Sequence, residues 1–572
     1  MKCIECTEKL LGETVNLHGF IAKTRNLGGM IFIDLRDRSG IVQLVISPEN
    51  QQYELAKTLR NEYVIEITGT VIERVSKNPN MITGNIEIEV TDITLISTAE
   101  TTPLIIAEQT DALEEVRFKY RYLDLRRPNI QQRFLIRHRL NKIIHQYMDN
   151  QEFIEIETPI LSKSTPEGAR DYIVPSRVHE GEFYALPQSP QLYKQLLMLA
   201  GMEKYYQIVR CFRDEDLRTD RQPEFTQLDI EQAFIQEEDM YTLIEGLLHK
   251  IFKEIKGIEI PLPFPRMAYE DAMERYGSDK PDLRFAMELI DVTILAQSTE
   301  FGVFKNADSI KAIVVDGGAK FSRKDIDGFT EFVKIYKAKG LAWMKVVDNQ
   351  LEGPIAKFFT DEEKAMFLEQ TQANNESILL FVADTKEITR NALGQLRLHI
   401  AKKVALIPED VYKFAWIVDW PLFEYDEELG RYFAAHHPFT AAKVGQEDMV
   451  INNKQDVQAR AYDIVLNGYE VGGGSIRIHT PERQKQMLEA LGMDEQTIQE
   501  QFGFLLEAYS YGAPIHGGVA LGLDRLMMIL TNTELISDVI AFPKTLSARD
   551  LMMQAPATVA EEQLNELGIK LK

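Results

Sequence analysis

The sequence predicts an α+β protein of several domains: a small N-terminal β-barrel, a larger domain mixing strands and helices, and an α/β segment inserted within it. Three observations carry this prediction. Five short alternating segments crowd the N-terminal region. A long helical period followed by a strand opens the next one. The texture then changes across residues 280–415 before strand character returns. A chain of 572 residues also exceeds what one core holds, since single cores rarely grow past about 250–300 residues.

Within 1–107, β-branched residues and alternation recur at 14–22, 30–34, 41–46, 63–72 and 86–96. Gly28-Gly29, Ser39-Gly40, Asn78-Pro79 and Thr83-Gly84 separate these segments as turns. Five strands in about 100 residues fit a barrel of the OB type. Such barrels bind oligonucleotides on one face, with aromatics stacking on unpaired bases. Phe32 suits that role and suits a core position equally well.

The stretch 98–115 is polar, and 108–132 reads as a hinge. Across 129–148, Phe134, Leu140, Ile143, Ile144 and Tyr147 share a helical face. Residues 153–157 alternate like a strand and stop at Pro159. Elements alternate to about 279. Two α/β-like stretches, 311–315 and 377–383, mark 280–415 as an insertion without a convincing catalytic cluster. Strand texture resumes at 414–418, and a helix-rich tail closes the chain. The expected divisions are therefore 1–107, 108–132, 133–279, 280–415, 416–553 and 554–572.

Hydrophobic residues make up 45% and charged residues 27%, the balance of a folded protein rather than a disordered one. No apolar run reaches 18 residues, so no membrane span is expected, and the N-terminus does not read as a signal peptide. Three cysteines suit a reducing cytoplasm, and the Cys3/Cys6 pair lacks the second pair of a zinc site. A net charge of −24 opposes non-specific nucleic-acid binding, so any such contact must use local patches. Lys23, Arg25, Arg36 and Arg38 cluster in the barrel region and also fit a solvated face.

The chemistry concentrates in three segments. On 223–231, period two puts Phe225, Gln227, Asp229 and Glu231 on one face, suiting either a solvated sheet or a polar pocket for a base and an ammonium. In 463–477, Asn467-Gly468 signals a hairpin that makes Asp463 a diagonal neighbour of Glu470. Two such carboxylates suit Mg²⁺. Gly472-Gly473-Gly474 then lets the backbone approach a ligand, and Arg477 follows. In 517–530, a small-residue strand runs into an apolar helix with Arg525 at the junction, which suits phosphate. No P-loop or Rossmann glycine pattern occurs. Ser189 is a plausible cap for the helix after it. The loop around Glu167 could act as a lid, and His436-His437 lacks a third metal ligand at helical spacing.

These segments together resemble the class II aminoacyl-tRNA synthetases. The matching motifs are a helix and strand ending at Pro159, then Phe212-Arg213-Asp214-Glu215, then Gly522-Leu523-Asp524-Arg525. Nearly the whole chain is similar to the bacterial-type aspartyl-tRNA synthetases of class IIb, including Gln188–Lys194, the insertion and 435–439. The resemblance implies an OB-fold anticodon-binding domain, a six-stranded antiparallel catalytic sheet, a homodimer and an aspartate–tRNA ligase (EC 6.1.1.12). Its partners would be ATP, L-aspartate and tRNA(Asp), with Mg²⁺ as cofactor.

It also implies residue roles. Arg213 and Arg525 would be catalytic, with Phe225 and Arg525 sandwiching adenine. Asp214, Glu215, Gln222, Glu470, Gly522, Leu523 and Asp524 would complete the ATP site. Glu167, Ser189, Gln191 and Asp229 would surround the substrate ammonium. Lys194 and Arg477 would face its side-chain carboxylate, with Arg213 and His436 completing the aspartate site. Asp463 and Glu470 would hold the metal, and Arg25, Phe32, Gln43 and Glu87 would read the anticodon. In this family a histidine and a glycine in two barrel loops accompany relaxed tRNA choice. Leu27 and Lys77 stand there instead, so strict charging of tRNA(Asp) is expected, with charging of tRNA(Asn) as the alternative.

Overall fold

The computed structural model describes residues 1–165 and 169–571, so Glu167 lies outside the described residues. Two compact units emerge. One comprises residues 1–138, 217–219 and 535–558, and the other 139–216, 220–534 and 559–572.

The first unit contains a closed five-stranded barrel, formed by Thr14–Leu27, Met30–Arg36, Ile41–Ile46, Val64–Glu73 and Ile86–Ser97. Alternation does the work here. Leu17, Ile21, Ile33, Leu35, Leu44, Ile65 and Ile88 all point into one core, while their neighbours in sequence point out. Gly28 and Gly29 turn the first hairpin with φ of 59° and 86°, a region glycine enters without strain. Cys3 and Cys6 are free, buried and part of this core. Burial raises both thiols, which makes them packing residues rather than nucleophiles.

The second unit is built on an eight-stranded sheet. Six strands run antiparallel in the order Phe414–Val418, Ala461–Leu466, Tyr469–Ile476, His516–Gly522, Glu224–Ala233, Lys204–Phe212. Short parallel strands, Arg266–Ala268 and Ile154–Glu155, add one at each edge, so the sheet exceeds the expected six. The predicted strand at 153–157 shrinks to those two paired residues. The inserted region forms its own five-stranded antiparallel sheet, with apolar clusters on both faces. The tail holds one short helix, Glu561–Glu566, rather than a helical run. No helix among the described residues is long and apolar enough to cross a membrane.

Candidate active site

The strand Glu224–Ala233 lies mid-sheet, and its polar face is covered rather than solvated. Asp229 and Glu231 are both 0% exposed. Two buried cations meet them. Lys194 Nζ, from the helix Gln191–Leu199, lies 2.7 Å from Asp229 Oδ1 and 3.3 Å from Glu231 Oε2. Arg477 takes Glu231 in a fork, Nε to Oε1 at 2.9 Å and Nη2 to Oε2 at 3.0 Å. Its Nη1 donates to two neutral acceptors, His437 Nε2 and Ser475 Oγ, each at 2.6 Å. Burial and the neighbouring Arg477 charge drive His437 well below its ordinary pKa, so it is the neutral acceptor that contact requires. Burial also works against the Glu231 carboxylate, but Arg477 and Lys194 hold it down at about 2.

The pocket thus encloses a balanced quartet of two acids and two cations. Balance is incomplete at the level of atoms. Asp229 Oδ2, Gln191 Nε2, Arg213 Nε and His436 Nδ1 are buried without a hydrogen-bond partner. Burial raises the Asp229 carboxyl despite the pull of Lys194, the mark of a carboxylate short of positive charge. All four atoms belong to residues expected to hold aspartate or ATP. Pro190, not Ser189, occupies the cap of the Gln191–Leu199 helix, which corrects the predicted cap. Gln188 accepts from Ala169 N–H at 3.1 Å and donates to Asp171 at 2.5 Å.

Further along the same face, the Arg213 guanidinium sits 5.2 Å from the Phe225 ring centroid. Arg525 starts the helix Leu523–Leu530 and donates to the Glu470 carbonyl at 2.9 Å, with Asp220 at 3.4 Å. Glu215 is paired with Arg221 at 3.0 Å, and Gln222 is buried beside them in sequence. Leu523 and Asp524 are buried. The Asp524 carboxylate accepts from Thr226 N–H at 2.8 Å, tying the helix to the strand that bears Phe225. Asp214 bridges to Arg170 through its backbone, and Gly522 caps the Arg525 helix.

The Asn467-Gly468 hairpin forms as expected, with Leu466 opposite Tyr469 and Val465 opposite Glu470. A bulge at Val471, between the Val465–Glu470 and Ile464–Gly472 pairs, then moves Asp463 opposite Gly473, which corrects the diagonal placement that an unbroken hairpin gives. Asp463 and Glu470 remain electrostatic neighbours: partial burial and the Asp463 charge raise the Glu470 carboxyl. Two hard carboxylates that repel each other fit a divalent cation. Burial opposes the His436 imidazolium, yet its 3.1 Å contact with Asp463 raises its pKa overall. No group of three metal-ligating side chains occurs among the described residues. The glycine run serves neighbours first. A Cβ at Gly473 would collide with Asp463, and one at Gly474 with the Gly518 carbonyl.

In the barrel, Phe32 is half-buried on the outer face and stands outside the apolar core, beside Arg25 in the register. Arg25 bonds Asp34 at 2.6 Å and Gln43 at 3.1 Å, and Gln43 reaches Glu87 at 2.6 Å. The anticodon candidates therefore form one connected polar face around an aromatic. Arg36 does not join it, because its buried Nη2 donates to both Glu62 carboxylate oxygens, at 2.9 and 2.8 Å. Leu27 is exposed at the end of its strand, and Lys77 pairs with Glu73 at 2.8 Å. The sequence singled out no role for Ser475, and it placed Glu231 only on the polar strand face and His437 only beside His436. The alternation that placed Glu231 beside Asp229, and Ser475 beside Arg477, was the available signal.

An antiparallel sheet with an arginine over an aromatic, a carboxylate hairpin and a buried cluster of two acids and two cations defines a ligase of the class II synthetase fold. The tRNA synthetases class II (D, K and N) model matches residues 113–546, and the OB-fold nucleic acid binding domain matches 15–96. The chain belongs to this class II D, K and N family. It is 55% identical, over all of its own length and 98% of the relative's, to an Aspartate--tRNA(Asp/Asn) ligase of Bacillus cytotoxicus. The same identity and coverage hold for the Bacillus anthracis protein of that name. Among solved structures, asparaginyl-tRNA synthetase from Pyrococcus horikoshii shares the fold, with a TM-score of 0.60 and 20% identity across 95% of this chain and 98% of that one.

Proposed function

We propose that the chain is an aspartate–tRNA ligase (EC 6.1.1.12) that converts L-aspartate and ATP to aspartyl-adenylate and passes the aspartyl group to the 3′ end of tRNA(Asp). The observation that carries this reading is the charge pattern of one buried pocket. Asp229 Oδ2 is unpartnered, so a substrate ammonium completes it. Arg477 Nη1 donates to neutral acceptors, so a substrate side-chain carboxylate is the stronger partner. Asparagine has the same shape but offers the buried guanidinium a neutral amide oxygen in place of a carboxylate, a weaker partner for a charged donor.

The reaction needs no enzyme nucleophile. The α-carboxylate attacks the α-phosphorus in line and pyrophosphate leaves, while Arg213 stabilises charge spreading over the phosphate and Phe225 with Arg525 fixes the adenine. When bound at Asp463 and Glu470, Mg²⁺ neutralises phosphate charge. Homodimerisation, a cytoplasmic location and the divisions given above belong to the same proposal.

A second reading is favoured by the names of the 55%-identical relatives, which cover both tRNA(Asp) and tRNA(Asn). Leu27 and Lys77 favour the strict enzyme. Charging purified tRNA(Asp) and tRNA(Asn) with labelled aspartate decides between them. Label on tRNA(Asp) alone supports the strict form, label on both supports the relaxed form, and label on neither overturns the function.

Phe32→Ala is expected to raise the KM for tRNA about tenfold or more, since base stacking contributes about 1–3 kcal/mol. Aspartate-dependent pyrophosphate exchange should stay normal. A parallel loss of exchange would make Phe32 a folding residue.

A further inference from the structure

The hairpin that carries Asp463 and Glu470 is gripped at its tip by both ends of the inserted segment. Asn467 and Gly468 make the turn with φ of 54° and 85°. The Asn467 side chain also reaches beyond the turn. Its Nδ2 donates to the Val411 carbonyl at 2.8 Å, and its Oδ1 accepts from Lys413 N–H at 2.9 Å. Both partners lie where the chain returns from the inserted sheet.

On the other side, a Cβ at Gly468 would stand 3.3 Å from Asp282 Cβ, so the tip packs on the segment leading out to that sheet. Asp282 is itself immobilised. Its carboxylate holds Arg284 at 2.7 Å, and its carbonyl accepts from Arg397 at 2.9 Å. Arg397, on the helix Lys386–Lys403, is 1% exposed and also donates to the Phe285 and Met287 carbonyls at 2.9 and 3.0 Å. Its guanidinium stacks 3.9 Å from the Phe285 ring centroid. A buried guanidinium spent on successive main-chain carbonyls fixes the path of that segment.

We propose that the inserted segment is a positioning element for the triphosphate end of the ATP site, with Arg397 and Asn467 as positioning residues that set the Asp463–Glu470 pair. The proposal rests on assigning that pair to metal-bound ATP. The hairpin turn is tight, so a displaced tip moves Glu470, three residues from Asn467, with it.

The test uses the full chain with Asn467→Gly, which keeps the positive-φ turn but deletes both side-chain bonds, and with Arg397→Met. Mn²⁺–ATP binding is measured by titration calorimetry, and KM values for ATP and aspartate by pyrophosphate exchange. Both variants are expected to weaken Mn²⁺–ATP binding and raise the KM for ATP about tenfold, leaving the KM for aspartate unchanged. Thermal melting identifies a misfolded Arg397→Met, in which case Asn467→Gly carries the test. Unchanged Mn²⁺–ATP affinity in folded Asn467→Gly, or equal rises in both KM values, overturns the proposal. A wild type that binds Mn²⁺–ATP but shows no aspartate-dependent exchange overturns the substrate assignment instead, and calorimetry still decides the positioning role.

Discussion

Arg477→Met is expected to reduce aspartate-dependent pyrophosphate exchange about 10⁴-fold, because the pocket loses the cationic Nη1 donor that a side-chain carboxylate would meet. The same change should destabilise the fold by about 3–5 kcal/mol, since Glu231 is left as a buried charge without its fork. Both effects trace to one guanidinium: Nε and Nη2 serve Glu231, and Nη1 faces neutral acceptors.

The two roles separate in the double variant Arg477→Met/Glu231→Gln. Removing the orphaned charge should restore most of the stability and none of the exchange. Recovery of exchange together with stability would make Arg477 a structural residue only. The pH dependence supplies a second readout. Glu231 titrates near 2 in the folded protein against an ordinary 4.5, so its contribution is fully present above pH 4.5 and lost as pH falls toward 2. The stability gap between the wild type and Arg477→Met should narrow across that window.

Arg213→Ala should lower kcat for adenylate formation about 10²–10³-fold, the cost of removing a donor aimed at charge developing in the transition state. Its Nε is buried without a partner, and its guanidinium is held over Phe225, so the side chain is aimed before substrate arrives. Few internal contacts are lost, and melting should stay close to wild type. Arg213→Lys keeps the charge but not the planar fork, and should recover only a small fraction of the rate. A rise in the KM for ATP with kcat unchanged would assign Arg213 to ground-state binding instead.

Both predictions turn on features that sequence and structure supplied unequally. The barrel was legible in outline because its signals are local. Alternation fixes which side chains enter the core, and Gly28-Gly29 fixes the first turn. The face bearing Phe225, Asp229 and Glu231 and the Asn467-Gly468 hairpin were legible for the same reason: each depends on spacing within a few residues.

What lay beyond the sequence depends on partners far apart along the chain. Whether the polar face of Glu224–Ala233 met water or a pocket was decided by Lys194 and Arg477 arriving over it from other elements. Arg477 and Glu231 are separated by 246 residues, and no local period encodes such a pair. The bulge that moved Asp463 opposite Gly473 is likewise invisible to a strict period of two. The sequence by itself determined the residue types, the strand faces and the turns, since these follow from short-range sterics and alternation. Only the tertiary structure decided which charges neutralise one another and which atoms are left for substrate, because burial and long-range pairing set both.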